Sequence, residues 1–110
     1  MTLAFPGPYA QGRILLTTNP VVTLTNGNTI ATANLGISRV TNGGAVTGII
    51  MQAGTVDGQV IIVENDAAAT VTMAAAGTSN VANGVTCVIA ALACCLFVWN
   101  STTALWYPRF

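Results

Sequence analysis

The chain has no histidine and no lysine, and only six of its 110 residues carry charge. Each absence excludes a class of chemistry. Without histidine there is no Ser-His-Asp or Cys-His catalytic set, and the commonest metal ligand is missing. Without lysine there is no Schiff-base amine and no phosphate-loop lysine. The positive charges are Arg13, Arg39 and Arg109, scattered along the sequence. Nucleic-acid binding requires a basic stripe to neutralise phosphates, and none is present. Attachment to an anionic membrane surface lacks its polybasic anchor for the same reason. Soluble domains carry roughly 25% charged residues, against 5% here, while hydrophobic residues reach 53%. So few charges leave two ways to stay in solution. Hydroxyls and amides can cover the surface, or partner chains can bury it.

The three carboxylates are Asp57, Glu64 and Asp66. Glu64 and Asp66 lie two apart at a strand end and can share one side. A paired-carboxylate hydrolase would use such a pair, and a calcium ion would need Asp57 as well, with six or more oxygens in total. No polar cluster accompanies them in sequence, so a solvated turn is the expectation. Cysteine is also scarce. Cys87, Cys94 and Cys95 are an odd count and make no disulfide framework. Adjacent strand residues face opposite sides, so Cys94 and Cys95 are not expected to share an ion. They read as small buried hydrophobes. No enzyme activity, cofactor or metal is expected.

What is present is β-branched sequence cut at short intervals by turn residues, the pattern of a sandwich or barrel. Residues 1–12 differ. Pro6 and Pro8 cannot donate to a ladder, so this segment reads as an extended N-terminal arm anchored by Phe5 and Tyr9. Residues 13–110 then form one β domain. Strands are expected at Arg13–Thr18, Val21–Thr25, Thr29–Ala33, Leu35–Val40, Val46–Gln52, Val60–Glu64, Thr70–Met73, Val85–Ala90, Cys94–Trp99 and Ala104–Tyr107. Asn26-Gly27 is read as a hairpin turn, since Asn-Gly accepts positive φ. Val60–Glu64 is a continuous apolar run and reads as central. The Ala-rich stretch Ala67–Ala76 is read as strand because Thr70-Val71-Thr72 is embedded in it. No sequence repeat is visible. The expected fold is all-β, a single antiparallel β-sandwich or jelly-roll-like domain after the arm.

Two segments bear on location. The first residues have neither the positive start nor the apolar run of a secretory signal, which predicts assembly in a cytoplasm. Val85–Trp99 is uncharged, but a spanning helix needs about 20 apolar residues, so no membrane span is expected. Trp99, Trp106, Tyr107 and Phe110 crowd the C-terminus. They serve either as core filling or as a contact between subunits, since Trp and Tyr bury large area while keeping a polar handle.

The run from Val46 to Tyr107 resembles β-structured virion proteins of tailed bacteriophages. The similarity lies in Val46-Thr47-Gly48-Ile49-Ile50, in Gly54-Thr55-Val56-Asp57-Gly58-Gln59 leading into Val60-Ile61-Ile62-Val63, in Asn65 and Thr70-Val71-Thr72, and in Phe97-Val98-Trp99-Asn100-Ser101-Thr102 with Leu105-Trp106-Tyr107. The order is similar to capsid decoration (cement) proteins and head-fibre modules. The resemblance implies a homotrimer on the outer capsid surface of a virion, bound to the major capsid protein. The arm residues Leu3, Phe5, Pro6, Pro8 and Tyr9 are then the candidate capsid contact, and Trp99, Trp106, Tyr107 and Phe110 the candidate oligomer contact. The alternative implied is a head-fibre or tail-fibre tip module that binds a host-cell glycan or receptor.

Overall fold

A computed structural model describes residues 15–109. The expected arm, residues 1–12, lies outside the described residues, as do Arg13 and Phe110. Nine strands follow in order: β1 (Val22–Leu24), β2 (Thr29–Ile30), β3 (Ile37–Asn42), β4 (Val46–Met51), β5 (Val60–Asn65), β6 (Val71–Met73), β7 (Val88–Ile89), β8 (Cys94–Asn100) and β9 (Leu105–Arg109). One helical turn, α1 (Ala76–Ser79), and a 3₁₀ turn at Gly84–Thr86 lie between β6 and β7. The all-β expectation holds. Two sheets are formed, sheet A in the order β1-β3-β5-β8-β9 and sheet B in the order β2-β4-β6-β7.

The pairing is mixed. β1 runs parallel to β3 and β3 to β5, while β2 runs parallel to β4 and β4 to β6. Only β7, β8 and β9 enter antiparallel. The expectation of antiparallel pairing throughout is therefore corrected. Up to β6, consecutive strands alternate between the sheets, so the chain winds as a two-sided coil. Its last three strands close that coil as an antiparallel cap.

The turns explain the difference. Asn26-Gly27 does not fold β1 and β2 into a hairpin but carries the chain from sheet A to sheet B. Its groups bond to the equivalent corner of the next coil. The Asn26 side chain accepts the Thr47 N–H at 3.0 Å, and the Gly27 N–H donates to the Thr47 carbonyl at 3.1 Å. Gly27 and Gly48 both hold positive φ at these stacked corners, where glycine carries no steric penalty. Asn-Gly fixes a turn, but what the turn joins is settled by the next coil.

Burial alternates along the longer strands, with Val40, Ile49, Met51, Ile61, Val63, Val71, Phe97 and Trp106 all turned into one core between the sheets. Thr32, Ser38, Asn65 and Ser79 are the buried polar residues among those described, and Asn65 makes the most side-chain bonds of the four. Asn65 ends β5 and is 1% exposed. Its amide donates to the carbonyls of Ala69 at 2.8 Å and Ala90 at 3.0 Å, and its carbonyl accepts the Ala67 N–H at 3.1 Å. One side chain thus ties the β5–β6 loop to the entrance of the cap. Buried hydrogen bonds of this kind contribute about 1 kcal/mol each. Asn65→Ala is expected to cost about 3 kcal/mol in urea unfolding, and a loss below about 1 kcal/mol would contradict the tying role.

Candidate functional site

The chemistry-bearing side chains are spread over three places. Glu64, at the end of β5, and Asp66, just after it, do come together as the sequence suggested. They flank a shallow depression of about 500 Å³ with Asn65, Leu92, Ala93 and Cys94. A hydrogen bond to Asp66 raises the Glu64 carboxyl above its ordinary value of 4.5, with burial and the Asp66 charge adding to it. The Arg39 guanidinium, 3.3 Å away across the parallel ladder, pulls the other way. Asp57 sits elsewhere, where its carboxylate accepts the Ser101 N–H at 2.9 Å and holds the β8–β9 turn. Among the described residues, no three His, Cys, Asp or Glu side chains group closely enough to hold a metal ion.

The thiols separate as strand geometry requires. Cys94 is exposed on the outer side of sheet A, and its neighbour Cys95 is buried. Cys87 is buried too, and its hydrogen bond to Cys95, together with burial, holds its thiol well above the ordinary range. The run Val85–Trp99 is divided between the 3₁₀ turn, β7 and β8. No helix among the described residues is long and apolar enough to cross a membrane.

The aromatic residues divide between inside and outside. Trp99 and Trp106 face inward from paired positions on β8 and β9, with ring centroids 5.3 Å apart at 59°. The Trp106 indole N–H donates to the Gln52 carbonyl at 2.9 Å, and Trp106 is fully buried. Gly54 lies so close against the Trp99 ring that a Cβ there would clash with it. Both tryptophans therefore fill this chain's own core. Tyr107 points the other way, half-buried on the outer face of sheet A, with its hydroxyl 3.3 Å from Thr103 Oγ1. Beside it a shallow groove of about 400 Å³ is lined by Asp57, Gly58, Val98, Trp99, Asn100 and Arg109. Phe110 and the arm residues Leu3, Phe5, Pro6, Pro8 and Tyr9 lie outside the described residues.

The largest feature missed from sequence is the outer face of sheet A. Register places Ile37, Ile62 and Leu96 in one row across three strands. Val60, Val98 and Tyr107 form a second row. All six are half-buried on the side away from the core. The signal was present, because a strand covered on one face alternates apolar and polar residues, whereas β5 and β8 are apolar almost throughout. Continuous apolar strands are the mark of sheets buried on both faces, yet the described chain fills only one.

Comparison with protein-family models, with curated proteins and with solved structures gives no match.

Two outcomes test this geometry. A thiol reagent is expected to modify Cys94 alone in the native protein and all three cysteines in denaturant. Rapid native labelling of Cys87 or Cys95 would contradict the core. Glu64 holds its proton more tightly in the folded chain than in the unfolded one. Its contribution to stability is then fully present below pH 4.5 and is lost as pH rises through the higher folded value. Carboxyl NMR titration is expected to place Glu64 above 4.5 and to move it down in Asp66→Asn. An unchanged titration would show that Asp66 is not the cause.

Proposed function

We propose that this chain is a virion structural protein that docks on the outer surface of a capsid shell and cements or decorates it, without a reaction of its own. The observation that carries this reading is the apolar outer face of sheet A, in a chain with only six charged residues. The half-buried rows Ile37–Ile62–Leu96 and Val60–Val98–Tyr107 fit a protein surface laid over them. Burial returns about 25 cal/mol per Å² of apolar area, and ordering costs cancel part of it. Long strands set in a packed sheet lose little freedom on docking, which favours a rigid face over a loop. The resemblance supplies the remainder of the proposal: the major capsid protein as partner, three copies per unit, and residues 1–12 as a second contact through Leu3, Phe5, Pro6, Pro8 and Tyr9.

A second reading has its own support. The groove beside Tyr107 combines a half-exposed aromatic ring with Asp57, Asn100 and Arg109, the mix of stacking surface and hydrogen-bonding groups that suits a sugar. Under that reading the chain is a fibre-tip module binding a host glycan. The two readings differ in which substitution matters.

The test is uptake by undecorated capsids. The intact chain is expected to bind to saturation at a fixed ratio. Ile62→Asp, which places a charge between Ile37 and Leu96 in the centre of the apolar face, is expected to weaken uptake at least tenfold while leaving the fold intact. Removing residues 1–12 reports separately on the arm. No uptake by the intact chain would overturn the cement reading. Glycan binding abolished by Tyr107→Ala would favour the fibre-tip reading.

A further inference from the structure

The two ends of the coil are finished differently. At the C-terminal end the edge of sheet A is closed. The outward Trp106 N–H donates to the Asn80 carbonyl at 2.7 Å, and its carbonyl accepts the Ala82 N–H at 2.8 Å. Two residues further on, Pro108 has no N–H to leave unpaired. At the N-terminal end both sheets stop at short strands, β1 in sheet A and β2 in sheet B, with no strand beyond them among the described residues.

Hydrogen bonding identifies the groups that face this open side. The Asp66 N–H donates to the Val40 carbonyl, so Val40 is turned toward β5, and its neighbour Thr41 toward β1. Thr23, the register partner of Thr41, therefore turns its own N–H and C=O away from β3. In sheet B, the Ile50 and Gln52 N–H groups donate to the carbonyls of Asn28 and Ile30. Thr29, between those two, turns its backbone groups away from β4 in the same way. Of the inward side chains at this end, Leu24 and Ile30 are buried and Val22 is not. It is 47% exposed, although Val40 and Asn65, stacked beneath it in the same ladder, are each 1% exposed. Between β1 and β2 a narrow cleft of about 80 Å³ opens, lined by Val22, Leu24, Thr29 and Ile30.

Edges of this kind are normally blunted by charge, by proline or by a bulge. Neither β1 nor β2 contains any of these, and no charged residue occurs from Ile14 to Ser38. An occupant that satisfies this end must supply two edge strands at the spacing of packed sheets, about 10 Å, an apolar residue between them, and no charge. A single extended peptide supplies one strand. The same end of a second copy supplies both, and neutrality removes the like-charge cost of self-contact.

We propose that the β1/β2 end is a self-association surface on which a second copy of this chain docks end to end, so that both sheets continue across a two-fold contact. Val22 of each copy then covers the other's cleft, and the Thr23 and Thr29 backbone groups gain ladder partners. The contact closes on two copies, so the trimer implied by the resemblance requires a different surface. The proposal does not depend on what the outer face of sheet A binds.

The experiment is sedimentation equilibrium of the full chain beside Val22→Lys and Thr23→Pro, with circular dichroism to confirm folding. Thr23→Pro removes only an outward N–H and spares the ladder to β3. The intact species is expected to have twice the mass of either variant. Equal masses for all three would overturn the proposal. A chain lacking residues 1–14 that pairs when the intact chain does not would also overturn it, because the chain's own N-terminal segment would then be the occupant. No capsid enters the measurement, so its failure leaves the reading of shell binding where it stood.

Discussion

The structure depends on successive coils of chain stacking in register. Val22 lies over Val40 and Val40 over Asn65, while Thr29 lies over Ile50 and Val46 over Val71. A parallel ladder has no short hairpin to fix its register. Here the register is held by inward side chains that must fall on one another, and by corners such as Asn26-Gly27 that bond to the corner above. Such a coil has no inherent stop. The antiparallel cap of β7, β8 and β9 supplies one at the C-terminal end, joined to the coil by the Trp106 indole bonded to Gln52, by Trp99 packed on Gly54 and by Asn65 bonded to Ala90. At the other end the outermost strands among the described residues are β1 and β2.

The same construction leaves apolar surface outside. A coil of two sheets has one interior, and each strand has two faces. In β3, β5 and β8 the outer faces carry Ile37, Ile62, Leu96, Val60 and Val98, with the Arg39–Glu64 pair beside them on the same face. The shell-binding reading assigns the flat face of sheet A to one partner, and the open end of the coil suits a copy of the chain itself.

Much of this was legible in the sequence, and the limits are physical. Strand positions followed from β-branched runs and turn residues, so Val46–Gln52, Val60–Glu64 and Cys94–Trp99 fall within a residue or so of β4, β5 and β8. Partners did not follow. The offset from one coil to the next is 18 residues at Val22–Val40 but 25 at Ile37–Ile62. That unequal spacing hides the repeat from any fixed-period reading. Asn-Gly predicts a turn equally well in a hairpin and at a coil corner. The pair Glu64 and Asp66 was legible because two residues apart on a strand share a side. The crowding of aromatic residues near the C-terminus was visible, but not that Trp99 and Trp106 would turn inward and Tyr107 outward, which the β8–β9 register decides. The apolar outer face was written in the uninterrupted runs of β5 and β8, and only the fold revealed that the described residues leave one side of them uncovered.

The claim at the centre of this account is that the chain works through the outer face of sheet A, laid flat against another protein. Cys94 stands on that face, beside Glu64, with an exposed thiol. The most direct measurement is therefore the rate at which a small maleimide modifies Cys94, in the free protein and in the protein bound to capsids. The account predicts rapid modification when free and strong protection when bound. Equal rates in the two states would contradict it.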